Sequence, residues 1–473
     1  MNMKSLMICM AAMIVTQVAC SEEIRYVAYP GSSHPSASNC RDLNTDWPSP
    51  FTNAVCWSDG LQPHKGATYI AGKIDGADST LWTPIQSVDT TYDMFDTLVL
   101  ESGCILCIRH THRKAAIFND LRIAGDTSIW LPNNGGTTVI GGKLTVLDGV
   151  QLIFASYNSR LFRVDSDIFG GGNIRLASQN GTSSYKAYFS LYGINTNFLG
   201  KINMRNSYSP QTFSNCSTLT ITNAFNLGGN LEAFTYDALN LTRMSKLIAA
   251  DYDIVLPASA NRGISIGVNG GQISVSDAAR TLTVNWPITI GAYTLYKEGL
   301  GRLVLGRPLR FTSLAEATST SAADSKENPI SGKTHSVDVR EGTVSVTDCN
   351  ALNGAKIAFS NETAFVMSVD LPDGDMKTYG VRCDKALYAP LATTMPIRLR
   401  ASTGAGLSEG RYVVSLVTVL NTYAEDVESK LSIEELPARY RLLGITSAAA
   451  EGLSGATTFK AEIVRRGMTF CLR

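Results

Sequence analysis

The chain has 473 residues and a mass of 50.9 kDa, enough for roughly two to four compact domains or for one elongated array of repeats. Its 41 basic residues balance 41 acidic residues, so no net charge attracts nucleic acid or anionic lipid, and we expect no nucleic-acid partner. The 44% of hydrophobic residues exclude disorder for most of the chain, and the 40 glycines favour stacked strands over helical bundles.

Residues 1–20 have the pattern of a secretory signal peptide. A lysine precedes an apolar run from Leu6 to Val15, and small residues follow it. This run is too short for a permanent membrane span, and no later stretch approaches the roughly 18 apolar residues that a span needs. We therefore expect a secreted or cell-surface protein with no transmembrane span in the mature chain, which begins near Ser21 or Cys20. The alternative is a lipid anchor on Cys20, because Val18-Ala19-Cys20 resembles the end of a bacterial lipobox.

Cysteines are numerous for an exported chain. Ten are present, and eight follow the signal peptide; in an oxidising compartment these eight are available for disulfides, whose connectivity the spacing leaves open. We favour a bond between Cys40 and Cys56, because both lie in a loop-rich N-terminal segment.

A dense group of soft ligands follows, with the spacing C-x2-C-x2-H-x-H. Cys104, Cys107, His110 and His112 have the right atoms for zinc. The segment reads as strand, however, and successive strand residues point to opposite faces, so Cys107 is expected opposite the other three. The pattern therefore favours buried small residues or disulfide partners over a metal site.

The main signal is a repeated segment of the form Gly-x-apolar-x-apolar. Its glycines recur at intervals of roughly 30 to 40 residues. Each copy reads as a short strand entered through a glycine turn, and further short strands lie between the copies. The copies begin at Gly142, Gly172, Gly200, Gly229, Gly271, Gly301 and Gly342.

Several short strands per unit of about 30 residues cannot bury an apolar face alone, so neighbouring units must stack. We therefore predict an all-β fold, a right-handed parallel β-helix with stacked aliphatic columns. One coil is taken as one interval of about 30 residues, which places Gly142 next to Gly172 and Gly271 next to Gly301. Antiparallel sandwiches are the alternative, because they also give short strands with frequent turns.

The segment Leu295-Tyr-Lys-Glu-Gly-Leu-Gly-Arg-Leu-Val-Leu-Gly306 resembles the autotransporter-associated β-strand repeat, in which an apolar residue precedes Lys-x-Gly-x-Gly-x-Leu-x-Leu-x-Gly. The segment from Trp57 to Tyr69, followed by Leu81-Trp-Thr-Pro84, also resembles the opening of large secreted β-helix proteins. The resemblance implies an exported surface β-helix with no single catalytic activity attached. The residues that match the repeat pattern are Lys297, Gly299, Gly301, Leu303, Leu305 and Gly306.

These patterns divide the chain. Residues 21–66 are expected to form an N-terminal extension and cap, and residues 67–385 the solenoid, with an exposed loop from Thr312 to Lys333. Residues 386–473 are expected to form a C-terminal β-rich cap or small domain that covers the open edge of the solenoid. A candidate helix runs from Tyr423 to Leu436. Up to Arg473 no long run of amphipathic strands appears, so we expect a passenger-like chain without a translocator barrel.

Enzyme motifs are weak. Several β-solenoids are polysaccharide lyases or hydrolases that set carboxylates on neighbouring coils. The local carboxylate pairs read more simply as turn residues, and Ser265 and Ser408, the serines of two Gly-x-Ser-x-Gly matches, lack the following helix of a nucleophile elbow. The sequence fixes no nucleophile near His335, and His64 is most simply a surface or cap residue. The carboxylate pairs are Asp165 with Asp167, Asp251 with Asp253, and Asp373 with Asp375.

We therefore expect a structural or adhesive β-helix without catalytic activity, with surface glycans or other cell-surface components as partners. No catalytic, cofactor-binding or metal residue is assigned, and no cofactor is expected. The alternatives are a carbohydrate-active β-helix enzyme and a glycan-binding module, which differ from the structural role in having a defined site.

Overall fold

The structure is a computed structural model. It describes residues 22–27, 49–84, 86, 88–109, 114–131, 137–156, 161–178, 187–205, 216–291, 293–311, 336–346, 356–359, 366–371, 381–382, 395–401, 410–421, 424–436, 440–451 and 454–465. Several predictions fall outside these residues, namely the signal peptide with Cys20 and Ser21, the loop from Thr312 to Lys333, and Cys40, His110, His112, His335, Asp373, Asp375 and Ser408.

Short strands make up most of the described chain. In the first half they are Glu22–Arg25 (β1), Ala67–Ala71 (β2), Ser79–Trp82 (β3), Thr90–Tyr92 (β4), Thr97–Leu100 (β5), Cys104–Cys107 (β6), Ala115–Ile123 (β7), Thr127–Leu131 (β8), Thr138–Val146 (β9), Gln151–Ser156 (β10), Leu161–Val164 (β11), Asp167–Phe169 (β12), Asn173–Ser178 (β13), Tyr188–Leu191 (β14), Ile202–Arg205 (β15), Thr218–Ile221 (β16), Thr235–Thr242 (β17) and Ser245–Ala249 (β18).

The second half continues in the same way. Its strands are Ile254–Leu256 (β19), Arg262–Ile266 (β20), Gly271–Val275 (β21), Thr281–Val284 (β22), Ile288–Ile290 (β23), Thr294–Glu298 (β24), Arg302–Leu305 (β25), Arg310–Phe311 (β26), Ser336–Val339 (β27), Thr343–Val346 (β28), Lys356–Phe359 (β29), Val366–Leu371 (β30), Val381–Arg382 (β31), Met395–Ala401 (β32), Gly410–Leu420 (β33), Leu431–Glu435 (β34), Tyr440–Ala449 (β35) and Ala456–Arg465 (β36). Short 3-10 helices cover Pro50–Thr52, Ala54–Cys56, Ala224–Leu227 and Ala258–Ala260, and one α-helix, α1, covers Ala424–Lys430.

Three parallel sheets form the sides of a β-solenoid. Within the described residues the first sheet has 15 strands and runs from β1 to β29, the second has 10 and runs from β3 to β26, and the third has 7 and runs from β19 to β34. The consecutive strands β21, β22 and β23 belong to the first, third and second sheet in turn, and β24 then pairs in parallel with β21. The predicted all-β solenoid of parallel strands is therefore confirmed.

The core consists of inward side chains stacked from coil to coil. In the second sheet one column is continuous in the strand register, and each member is at most 1% exposed. Because strand side chains alternate between faces, these apolar residues at alternate positions all point into the solenoid. The predicted aliphatic columns are confirmed. The members of this column are Leu81, Leu106, Ile129, Phe154, Leu176, Met204, Leu241, Ile266 and Ile290.

The predicted stacking of repeat glycines on adjacent coils is wrong. Gly271 pairs with Leu295 and not with Gly301. Lys143 pairs with Asp167, so that Gly142 lies beside Ser166 and not beside Gly172. Every corner of the solenoid needs a turn, so the repeated segment can begin a strand on any of its sides. For this reason the segment does not recur once per coil.

Between β12 and β19, where no described strand belongs to the third sheet, side-chain hydrogen bonds join successive coils. Asn195 accepts a hydrogen bond from the Ile168 amide at 2.8 Å and donates one to the Asn226 carbonyl at 2.8 Å. Asn226 in turn donates to the Gly193 carbonyl at 3.0 Å. Both asparagines are at most 1% exposed, so their amides join successive coils in the absence of a backbone ladder.

Arg262 ties the same region together. It is 1% exposed, and its guanidinium donates to the carbonyls of Gly229 at 2.6 Å, Gly200 at 3.0 Å and Phe198 at 2.7 Å. These acceptors belong to two different earlier coils. Gly228 lies against the guanidinium, and a Cβ there would come within 2.5 Å of it. Burial lowers the pKa of Arg262 to about 10.

An aromatic cluster closes the N-terminal end. Phe51 is 1% exposed and packs against Tyr92 at 5.0 Å and Phe95 at 4.9 Å between ring centroids. Trp57 packs edge-on against Tyr69 at 4.9 Å. The segment before β2 therefore packs against the first coils of the core.

The C-terminal part combines the solenoid with an antiparallel sheet. The third sheet continues through β30 and β32 to β34, while β33 and β35 pair antiparallel with β36. The helix predicted from Tyr423 to Leu436 is shorter than expected, because β34 takes over at Leu431 and pairs with β32. The domain boundaries at 66 and 385 stay predictions.

Candidate functional site

The described part of the Cys-His group is buried. Cys104 and Cys107 in β6 are both 0% exposed. Burial raises the pKa of the Cys104 thiol to about 12, which disfavours the thiolate that binds metal. Among the described residues no group of His, Cys, Asp and Glu has the arrangement of a metal site. Cys56 is a buried free thiol, and Cys40, its predicted disulfide partner, lies outside the described residues.

The carboxylates of the local pairs lie at corners. Asp167 accepts the Ile194 amide at 2.9 Å, and Asp253 accepts the Thr281 amide at 2.8 Å, in each case from the next coil. Asp165 pairs with Arg163 at 2.6 Å. Asp165, Asp167 and Asp253 are therefore engaged in local structure, as the sequence indicates.

The isolated serine and histidine signals stay isolated. Ser265 lies inside β20 between the buried residues Ile264 and Ile266, so the chain forms no nucleophile elbow there. His64 packs against Tyr69 at 6.1 Å between ring centroids and lies 3.6 Å from Asp59. The structure brings neither residue next to a partner for acyl transfer.

Lys297, the lysine of the repeat-like segment, is buried and bound to backbone carbonyls. Its side chain is 0% exposed, and its Nζ donates to the carbonyls of Glu298 at 2.7 Å, Gly299 at 2.6 Å and Glu341 at 3.1 Å. Gly299 has φ of 73°, and its amide donates to the Glu341 carboxylate at 3.0 Å. The lysine therefore fixes its own corner to the corner of the next coil.

Charged residues of successive coils converge on the outer side of the first sheet. Lys246 pairs in the register with Gln272, Gln272 with Tyr296, and Tyr296 with Asp338. These positions alternate with buried core positions, so their side chains point outward. We call the group the charged cluster; it consists of Lys246, Gln272, Tyr296, Glu298, Asp338 and Arg340.

Two ion pairs organise the charged cluster. Lys246 contacts Glu298 across the intervening strand β21, and their side chains are 16% and 15% exposed. Arg340 lies 3.4 Å from Asp338 and 5.2 Å from the centre of the Tyr296 ring. Burial raises the pKa of Tyr296, and the charge of Asp338 adds to that shift while Arg340 opposes it.

Beneath the Lys246–Glu298 pair lies a buried amide. Gln272 is 0% exposed and donates to the Met244 carbonyl at 2.7 Å, while its Oε1 has no hydrogen-bond partner among the described residues. Beside it a small apolar cluster forms outside the main core, from Cys216, Met244 and Tyr296. The arrangement joins cations and carboxylates on one surface with a buried acceptor beneath them.

Sequence reasoning missed the charged cluster. The carboxylate pairs singled out in the sequence, such as Asp165 with Asp167, contain none of its members. The cluster follows an alignment in which Leu247, Ile273, Lys297 and Val339 share one inward column. Lys297 occupies an inward position in this column, although a charged residue in a strand is expected to point outward. The alignment is therefore not apparent from the sequence.

Comparisons with known proteins give no relatives. No protein-family model, no curated protein and no solved structure matches the chain. The parallel β-solenoid stands on the strand pairing alone, and the likeness to the autotransporter-associated repeat stays a resemblance of sequence. In the part of the chain that the structure describes, no helix combines the length and apolar character of a membrane span.

Proposed function

We propose that this chain is an exported or cell-surface β-solenoid with a structural or adhesive role and without catalytic activity. The observation that carries the proposal is the continuous register of parallel strands, in which one core column runs from Leu81 to Ile290. Such a rod offers long outer faces on which side chains recur about every 4.8 Å. Repeating or extended partners, among them surface glycans, suit a surface of this kind.

The resemblance to autotransporter-associated repeats supports the same role. The contacts of Lys297, Gly299 and Gly301 give the repeat pattern a physical purpose, because they join corners of adjacent coils. A repeat pattern whose residues serve coil stacking fits a structural role. The signal-peptide pattern of residues 1–20 supports export.

Two measurements test this proposal. N-terminal sequencing of exported protein is expected to give a start near Ser21 or Cys20, and Met1 on exported protein contradicts cleavage. Beads coated with folded chain are expected to be retained on glycan-bearing cell monolayers more strongly than beads coated with heat-unfolded chain. Equal retention of both contradicts an adhesive role.

A second candidate function, polysaccharide cleavage, is favoured by the charged cluster. Glu298 and Asp338 lie on neighbouring strands, two residues apart in the register, which separates their Cα atoms by roughly 8 Å. Glycosidases hold two carboxyl groups roughly 5 to 10 Å apart around the sugar. Against this reading, each carboxylate already contacts a cation, an arrangement that also serves to hold coils together.

Substitution separates the two readings of the charged cluster. If the cluster is catalytic, Glu298→Gln and Asp338→Asn each lower polysaccharide depolymerisation at least 100-fold without changing the melting temperature. If it is structural, the folded wild-type chain cleaves none of a panel of polysaccharides, and both variants melt at a lower temperature. The exposed carboxylate of Glu232 offers a control, Glu232→Gln, that changes neither.

A further inference from the structure

The outer side of the second sheet carries a row of polar side chains in strict register. Each member pairs with the next on an adjacent parallel strand. The first five lie between buried core residues and therefore point outward, and Arg310, which pairs with Thr289, is exposed. The row crosses six strands and spans roughly 24 Å at the usual strand spacing. Its members are Arg175, Asn203, Asn240, Ser265, Thr289 and Arg310.

The centre of this row consists of neutral amides and hydroxyls. Such groups both donate and accept hydrogen bonds, as sugar hydroxyls do. The Thr289 hydroxyl belongs to a side chain that is only 4% exposed, and its Oγ1 has no hydrogen-bond partner among the described residues. Asn240 Oδ1 is likewise buried without a partner there. Buried polar atoms without partners are costly unless a ligand or water satisfies them.

Two exposed aromatic rings flank the row. Phe234 lies just before β17 and Tyr236 at its start, where the pairing with β20 shifts between Thr235 and Leu239, and each ring is 43% exposed. Gly263 permits the approach, because a Cβ there would lie 2.6 Å from the Tyr236 carbonyl oxygen. Arg310 lies 5.2 Å from the centre of the Phe234 ring, which joins the aromatic pair to the end of the row.

From this placement we infer that the outer side of the second sheet, from β13 to β26, binds a neutral, hydroxyl-rich glycan chain that runs across the strands. The chain hydrogen-bonds to the central amides and hydroxyls, and sugar rings pack on Phe234 and Tyr236, whose exposed faces are apolar. The strands repeat at about the length of one sugar ring, so successive sugars meet equivalent positions. This inference rests on the proposed adhesive role and gives that role a ligand class and a site.

Affinity electrophoresis of the full chain tests the site, with hydroxyethyl cellulose, yeast mannan and chondroitin sulfate as probes. Wild type is expected to be retarded by at least one of the two neutral polysaccharides. The double variant Phe234→Ala/Tyr236→Ala is expected to raise the dissociation constant at least ten-fold. The matched control is Tyr252→Ala, which removes a ring that is 61% exposed at the turn before β19, and it is expected to leave binding unchanged.

A second variant distinguishes a loss of glycan binding from misfolding. Thr289→Val keeps the shape of the side chain and removes only a hydroxyl that lacks a described partner, so the melting temperature is expected to hold while glycan binding falls several-fold. Retardation that neither variant alters places binding elsewhere and overturns the inference. Retardation by chondroitin sulfate alone, lost in moderate salt, indicates charge attraction and also overturns it.

The electrophoresis and the bead assay together test the glycan site and the adhesive role separately. If no polysaccharide retards the chain while coated beads still adhere to cells, the glycan site is wrong and the adhesive role stands. If the beads also fail to adhere, both are wrong. Binding that is lost in the double variant together with bead adhesion supports both.

Discussion

Lys297 and Arg262 are buried cations that are solvated by backbone carbonyls. Each donates to three carbonyl oxygens from more than one coil. Transfer of a cation from water into the protein interior is costly, and the carbonyls offset part of that cost. At both positions the side chain therefore joins coils at a corner that the strand ladder does not reach.

Because Lys297 is buried, we predict that the free energy of unfolding depends on pH. Desolvation lowers its pKa to about 7 in the folded chain, despite the opposing charges of Glu341 and Glu298. Between about pH 7 and pH 10.5 the unfolded chain binds more protons at this residue, so the free energy of unfolding rises with pH in that window. We expect the difference in unfolding free energy between wild type and Lys297→Met to change in favour of wild type by up to about 1.4 kcal/mol per pH unit.

Chemical denaturation at pH 7 and pH 9 measures this difference. Lys65→Met serves as the control, because the Lys65 side chain is 70% exposed and pairs only at the surface with Asp93. If wild type and Lys297→Met respond equally to pH, Lys297 does not titrate in this range.

We predict that Arg262→Met lowers the free energy of unfolding without changing the charge of the surface. The substitution leaves the carbonyls of Phe198, Gly200 and Gly229 without their donor, at about 1 kcal/mol or more for each. We expect the free energy of unfolding to fall by about 3 kcal/mol. The control Arg280→Met, at a partly exposed turn, is expected to cost less than about 0.5 kcal/mol.

At the scale of the element, turns decide where one strand ends and the next begins. Gly142 lies inside β9, where the chain leaves one side of the solenoid for the next, with φ of 90°. A Cβ there would overlap the Phe118 carbonyl oxygen of the preceding coil. Glycine is required at this corner both for its backbone angle and for the close approach of the coils.

Two alanine substitutions separate these requirements. Gly149 also has positive φ, 77°, but a Cβ there meets nothing within 4 Å. We expect Gly149→Ala to lower the free energy of unfolding by about 1 to 2 kcal/mol, from backbone strain alone. Gly142→Ala is expected to lower it by several kcal/mol more, because coil stacking is disturbed as well. Equal effects in thermal or chemical unfolding would show that the contact with Phe118 is unimportant.

The sequence predicts the elements better than their arrangement. The alternation around Leu152 and Leu176 reveals strands, because one face of each strand is apolar. The coil length is not readable from the glycines, since a turn at any of the corners needs the same residue type. The charged cluster also escapes, because its members become neighbours only once β18, β21, β24 and β27 are aligned by pairing. Residues as distant as Lys246 and Asp338 carry no local signal of that contact.

At the scale of the whole molecule, each coil contacts coils that are one or two places away, as Arg262 and Lys246 do. Stability in such an array is therefore local, and a defect at one end does not weaken the other. The aromatic cluster around Phe51 covers only the first coils, which makes it a suitable place to test this property.

Phe51→Ala removes a fully buried ring and is expected to destabilise the N-terminal coils by about 3 to 5 kcal/mol. Amide hydrogen exchange is then expected to accelerate in β2 and β5 and to stay unchanged in β21 and β24. Acceleration throughout the solenoid would mean that the chain opens as one cooperative unit. Val55→Ala is the control, because Val55 is 57% exposed in the same segment.

The length of chain between paired strands varies even where the register is continuous. Gly271 pairs with Leu295 after a short excursion through β22 and β23, whereas the segment that separates Thr294 from its partner Ser336 is much longer. The core columns continue through both pairings, so a longer segment between paired strands leaves their register unaltered. During evolution such a chain can therefore gain or lose residues between paired strands without a compensating change in the core columns, and the same property makes such a connection a natural place to graft a foreign peptide for display.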